Sequence, residues 1–263
     1  MQVWVESAGI MGPGLPGWGD SRAVLAGDSP YAGGELVLPK LELLPPVERR
    51  RTGMLVKLAI AAGQDALPQS RPAIDFLPTV FAASGGDGDV INEICTTLAG
   101  TDRQVSPTRF HNSVHNAPAG YWSIATGSRA PSTSLSAFDW TFAAGLVEAA
   151  AQIVCDHDHV LMIVADMPYP PPLLGVRNTR LPFGGALLLA RVRSAQSLAA
   201  LDINASEPTQ PTRMRESLLE QLREDNPSAR GLPVFAALAG RTTTTVTLDY
   251  VAGKSLRIVV SPC

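Results

Sequence analysis

Ser132-Thr133-Ser134-Leu135-Ser136-Ala137-Phe138-Asp139-Trp140 reads as a short strand running straight into a helix, with an acid at the turn. The helix, Asp139 to Val154, sets Trp140, Ala143, Leu146, Val147, Ala150, Ile153 and Val154 on one face at helical spacing. His159-Val160-Leu161-Met162-Ile163-Val164-Ala165 follows, apolar at every position after the first, as expected of a strand covered on both faces. Strand, helix and strand in that order predict a layered α/β fold with a mostly parallel central sheet.

The flanks extend this pattern. Gln2 to Ser7 predicts a strand, followed by a turn-rich stretch from Gly9 to Asp28. Met54, Leu55, Leu58, Ala61 and Ala62 predict a helix from about Val47 to Leu67. Phe76 to Ala83 reads as a buried strand stopped by Ser84-Gly85-Gly86, and Asp87 or Asp89 would cap a helix closed at Gly100. Residues 105–127 read as helix and turn. After a break at Pro168 to Pro172, Phe183-Gly184-Gly185 leads into the buried strand Ala186 to Ala190. Residues 195–212 read as a linker, followed by a polar helix near Arg213 to Asp225 and short strands near Val234, Val246 and Leu256. The expected division is a main unit over 1–194 and an extension over 195–263 that packs on it.

Composition narrows the function. The chain has 263 residues, 45% of them hydrophobic, which is ample for a large core. A net charge of -3 and the lack of any basic patch beyond Arg49-Arg50-Arg51 argue against nucleic acid as a partner. No apolar run reaches the roughly 18 residues of a membrane span, and the start of the chain has no basic segment of the secretory kind. Cys95, Cys155 and Cys263, odd in number and widely spaced, suit reduced thiols, so a cytoplasmic location is expected.

Three motifs invite chemistry, and each has a plainer reading. Gly12-Pro13-Gly14-Leu15-Pro16-Gly17 fits a dinucleotide-binding spacing, but its prolines remove donors and no helix is expected before Ala23. It reads as a rigid turn, and no cofactor is expected. His111 and His115 are four apart, yet Asn112 stands where a zinc hydrolase of this spacing needs a glutamate. His157 and His159 sit where a helix gives way to a strand, so no metal is expected from either pair. A serine hydrolase elbow of the G-x-S-x-G form is absent, and Asp139 alone would be read as a helix cap.

From Val105 to Val192 the sequence resembles the N-terminal half of a β-ketoacyl synthase, a condensing enzyme of thiolase fold. Ser106-Pro107, Asn112-Ser113-Val114-His115-Asn116-Ala117-Pro118-Ala119-Gly120 and Ser123-Ile124-Ala125-Thr126-Gly127 carry the likeness. Ala130 to Leu135, the helix from Ala143 to Ala149 and Phe183-Gly184-Gly185-Ala186 continue it, and Ala8 to Pro13 resembles the family's first strand and turn. The resemblance implies a cysteine thiolate at the elbow, activated by the helix that follows. Counting from Pro131 puts Asp139 there, which implies no catalytic residue at the nucleophile position. The assisting histidines and lysine are absent too: no histidine follows His159, and Lys254 is the only lysine after Lys57.

Scaffold without chemistry resembles a chain-length factor, the inactive partner that shapes the acyl tunnel of a true ketosynthase. The wording from Phe110 to Asn116 and from Ala119 to Ser123 resembles ketosynthase-like proteins of aryl-polyene-type fatty-acid and polyketide pathways. The resemblance implies a heterodimer with a catalytically complete ketosynthase, served by an acyl carrier protein. It makes Ser132, Thr133, Ser134, Leu135 and Ser136 the interface strand. Aromatic residues concentrate between positions 110 and 142. Phe110, His111, His115, Tyr121, Trp122, Phe138, Trp140 and Phe142 are therefore candidates for a tunnel wall or an interface. Two other functions fit the same residues: an acyl-binding or self-associating scaffold without a ketosynthase, or a modified acyltransferase or hydrolase.

Overall fold

The computed structural model describes residues 1–67 and 74–263. In chain order its strands are β1 (Gln2–Met11), β2 (Thr79–Ala82), β3 (Ser132–Leu135), β4 (His159–Asp166), β5 (Phe183–Ala190), β6 (Ala199–Ser206), β7 (Thr244–Tyr250) and β8 (Lys254–Pro262). The helices are α1 (Trp18–Ala26), α2 (Pro46–Arg51), α3 (Met54–Asp65), α4 (Gly88–Ala99), α5 (Pro107–Asn112), α6 (Ala117–Thr126), α7 (Thr141–Cys155), α8 (Pro171–Leu174), α9 (Ser217–Asp225) and α10 (Leu232–Ala239). The strands form one sheet in the order β3-β2-β4-β5-β1-β6-β8-β7.

Helices cover both faces, so the core has two halves. Val160, Met162 and Val164 of β4 face α7, whose Phe142, Leu146 and Ile153 are buried against them. The alternate residues Leu161, Ile163 and Ala165 pack with Leu58 and Ala62 of α3 and Trp122 of α6. This two-sided burial explains the unbroken apolar runs of β4 and β5.

The sheet is nevertheless mixed, not mostly parallel. Only the pairs β2–β3 and β2–β4 are parallel. The pairs β4–β5, β5–β1, β1–β6, β6–β8 and β8–β7 are antiparallel. An apolar run reports that both faces are covered, and coverage does not depend on strand direction. The layered α/β expectation stands; the direction is corrected.

Other local expectations also change. The stretch read as a linker contains β6, and β6, β8 and β7 continue the same sheet beyond β1. Val234 lies in α10, where Pro233 near the helix start supplies no lost hydrogen bond, instead of in a strand. The helix expected over 47–67 is two helices, broken at Thr52-Gly53.

The glycine-proline turn does open a helix, because α1 begins directly after Gly17. Its N-terminus is already occupied. Asp65 Oδ2 accepts from the backbone N–H of Trp18 at 2.7 Å and of Ile10 at 2.9 Å. An internal carboxylate therefore takes the place an anionic ligand would use.

Candidate functional site

The strand-to-helix junction after β3 is built by local bonds. Thr141, fully buried at the start of α7, accepts from the backbone N–H of Ala137 at 3.1 Å and donates to the carbonyl of Phe138 at 2.7 Å. Ser136 Oγ donates to the carbonyl of Ser84, tying the turn to the end of β2. Between these anchors Phe138 adopts φ 55°, and among the described residues it is the only non-glycine with positive φ. For a phenylalanine this left-handed backbone costs about 1–2 kcal/mol. The turn is an elbow, and it is strained.

Asp139 follows Phe138 and does not cap α7. Its Oδ1 accepts from Arg177 Nη1 at 3.0 Å, and its Oδ2 lies 3.6 Å from Arg230 Nη2. Arg230 Nη1 stands 3.7 Å from Asp249 Oδ2 on β7. Three separate segments thus converge on the acid: the elbow, the loop after α8, and the 3₁₀ turn Ser228–Gly231. That turn packs closely on α7, since a Cβ on Gly231 would fall 2.1 Å from the Phe142 ring. The Arg177 guanidinium also covers the Phe138 ring at 3.4 Å from its centroid.

Behind the elbow lies a second acid. Asp166, at the end of β4, is wholly buried. Its Oδ1 accepts from Ser84 N–H at 2.8 Å and Ser84 Oγ at 2.7 Å, and its Oδ2 accepts from Ser228 Oγ at 2.6 Å. Burial pushes its carboxyl up from the ordinary value, and these hydrogen bonds offset part of the rise. Asp166 joins the ends of β2 and β4 to the turn carrying Arg230.

The remaining expected residues separate into core and surface. Tyr121, Trp122 and Phe142 are buried, so they are core and not an open tunnel wall. Phe81 meets Trp122 edge-on, and Phe235 meets Phe142 in the same way. Phe110 and Phe138 are exposed, and Trp140 is half-buried. His111 and His115 do not share a helix face. His111, on α5, meets Tyr121 edge-on at 5.8 Å, while His115 Nε2 lies beyond α5, 2.9 Å from the carbonyl of Ala83. His159 faces Glu6 at 3.3 Å. Among the described residues no group of three His, Cys, Asp or Glu side chains could hold a metal ion. The cavity lined by Asp139, Trp140, Phe142 and Arg230 measures only about 10 Å³.

Ser132, Thr133, Ser134 and Leu135 form β3 itself, with Ser136 just beyond it, and β3 is one edge of the sheet. Pro131 and Leu135 accept through their carbonyls from Thr79 and Ala83 of the β2 segment. In a parallel ladder alternate residues bond to the same side, so Ser132 and Ser134 turn their backbone groups to the open edge.

A family model described as "Beta-ketoacyl synthase, N-terminal domain" matches residues 26–249. The chain belongs to that family. Its fold is the thiolase-like α/β fold of β-ketoacyl synthases. Among solved structures the β-ketoacyl synthase-like chain is similar to one in a ketosynthase (ApeO) in complex with its chain length factor (ApeC) from Xenorhabdus doucetiae. That match has TM-score 0.74 at 22% identity and covers 98% of this chain and 99% of that one. The ishigamide ketosynthase/chain length factor gives TM-score 0.74 at 12% identity, with 99% of both chains covered. A ketosynthase from module 6 of the bacillaene synthase of Bacillus subtilis gives TM-score 0.55 at 12% identity, over 88% of this chain but 46% of that one. No curated protein sequence matches the chain.

The arginine pair was not foreseen. Arg177 and Arg230 lie far from Asp139 in sequence and carry no motif, so only the fold brings them together.

Proposed function

We propose that this chain is the non-catalytic, chain-length-factor-type subunit of a type II ketosynthase in aryl-polyene-like biosynthesis. It pairs with a catalytically complete ketosynthase in the cytoplasm and helps shape the acyl tunnel, and an acyl carrier protein serves the complex. Residues 1–194 carry the synthase-like half, and residues 195–263 complete its sheet.

The observation that carries this reading is Asp139 at the elbow, with both oxygens engaged by arginine. A carboxylate cannot hold an acyl chain as a thioester, and ion pairing makes it a poorer nucleophile still. The open edge of β3 adds support, since soluble proteins seldom leave such an edge unpaired. Two of the end-to-end matches come from ketosynthase/chain length factor structures, which also supports the reading; a β-ketoacyl synthase from Burkholderia phymatum matches end to end as well, so length does not separate the roles.

The test is co-expression with a full-length, catalytically complete ketosynthase. A one-to-one complex should form, and incubation with acyl-loaded carrier protein should add acyl mass to the ketosynthase alone. An acyl adduct on this chain, or turnover of an acyl thioester by this chain alone, would instead support the acyltransferase or hydrolase reading. A stable assembly of this chain that ignores every ketosynthase would support the scaffold reading.

A further inference from the structure

We infer that the stacked pair Phe138–Arg177 is the anchor by which this chain grips its ketosynthase partner. The inference rests on the function proposed above and goes beyond it by naming the residue that dominates association.

Four observations converge on Phe138. Its backbone is held in a conformation phenylalanine rarely adopts, so the surrounding structure enforces its position. The buried Thr141 fixes that backbone from below. Despite this, the residue is 53% exposed, leaving part of a large apolar ring in solvent. Arg177 covers one face of the ring and is itself fixed by Asp139, so ring and guanidinium stand as one rigid unit.

An ordinary core aromatic needs no such clamp, and an ordinary surface residue would relax to an unstrained backbone. Strain held at an exposed aromatic is expected where a pre-positioned ring must enter a pocket on another molecule. Aromatic and arginine side chains are also the residues that most often dominate protein interfaces, and prior rigidity lowers the entropy lost on binding.

The surroundings fit a protein partner. Phe138 stands just past the end of β3, beside the edge whose Ser132 and Ser134 backbone groups are open. Val176, next to Arg177, is 79% exposed and extends the apolar surface. A partner strand paired along β3 would continue past its end beside the ring. The occupant is therefore the ketosynthase, with an apolar pocket receiving Phe138.

The test compares wild type with Phe138→Gly and Phe138→Ala, each co-purified with the ketosynthase and titrated against it. Glycine accepts φ 55° without strain, so Phe138→Gly should keep the wild-type Tm within a few degrees. Both variants should weaken the complex at least ~30-fold, the loss expected of a dominant interface residue. Wild-type affinity in both variants would overturn the anchor. So would a steep Tm loss in Phe138→Gly, which would make the ring structural. A homodimer of this chain held by the same ring would overturn the choice of occupant. A wild-type chain that does not bind the ketosynthase at all would remove the proposed function itself, a different failure.

Discussion

Arg177 donates from Nη1 to Asp139 Oδ1 across 3.0 Å, joining the loop after α8 to the first residue past the strained elbow. In the proposed function this structural ion pair stands where a condensing enzyme would keep a reactive sulfur.

Asp139→Ala should therefore destabilise the protein. It leaves Arg177 and Arg230, both largely buried, without their shared carboxylate, at a cost of about 1–3 kcal/mol. The urea midpoint should fall, with little change in slope. Asp139→Cys should lose similar stability and gain no condensing activity, because the elbow then holds a thiol without assisting histidines. Condensation by that variant alone would refute the non-catalytic reading.

The open edge of β3 makes a sharper test than any substitution of its buried side. Thr133 shares the bonding side of Pro131 and Leu135, so Thr133→Pro should damage the β2–β3 ladder and the fold itself. Ser134→Pro removes an N–H that faces outward. Circular dichroism and Tm should stay near wild type for Ser134→Pro while co-purification with the ketosynthase is lost. Intact co-purification would rule out strand pairing at this edge.

Asp166 sets a pH dependence whose sign is opposite to that of most paired carboxylates. Burial raises its value in the folded state, so the folded chain takes up a proton before the unfolded chain does. Its contribution to stability therefore increases as pH falls through the raised value, and levels off below about 4. Asp166→Asn can still accept from Ser84 and donate to Ser228 but cannot titrate. The stability of wild type minus that of Asp166→Asn should rise on acidification. Asp65 and Asp87, also raised by burial, and Glu220, lowered by Arg223, act alike in both proteins and cancel. A flat difference would show that Asp166 does not titrate in this range.

All three cysteines are exposed, including Cys95 on the amphipathic α4. DTNB should titrate three thiols in the native protein, with no loss of association with a ketosynthase. Fewer than three before unfolding would contradict this exposure.

The sequence was most legible where a pattern and its cause lie close together. The α7 face from Ala143 to Ile153 and the buried runs of β4 and β5 are local signals, and they were readable. Strand direction was not, because the apolar runs of Val160 to Ala165 and Ala186 to Ala190 carry no sign of polarity. The helix α1 was missed because its stabilising carboxylate, Asp65, comes from the far end of α3. The segment Leu232 to Ala239 looked like a strand because a short apolar run fits either element. The position of Asp139 followed from counting, but its two arginines depend on a fold that brings residues 139, 177 and 230 together.

The place of β1 has a consequence for how the chain comes to be folded. β1 precedes the other seven strands of its sheet yet lies between β5 and β6, with Trp4 opposite Ala190 on one side and Ala200 on the other. Neither neighbour exists until Phe183–Ala190 and Ala199–Ser206 have been made. Until then a growing chain must carry an apolar strand, Val3, Val5, Ala8 and Ile10 among its residues, without its final company. Heterologous expression should therefore gain from a chaperone that binds the nascent chain, whereas slower translation, which lengthens the wait for β5 and β6, should not help.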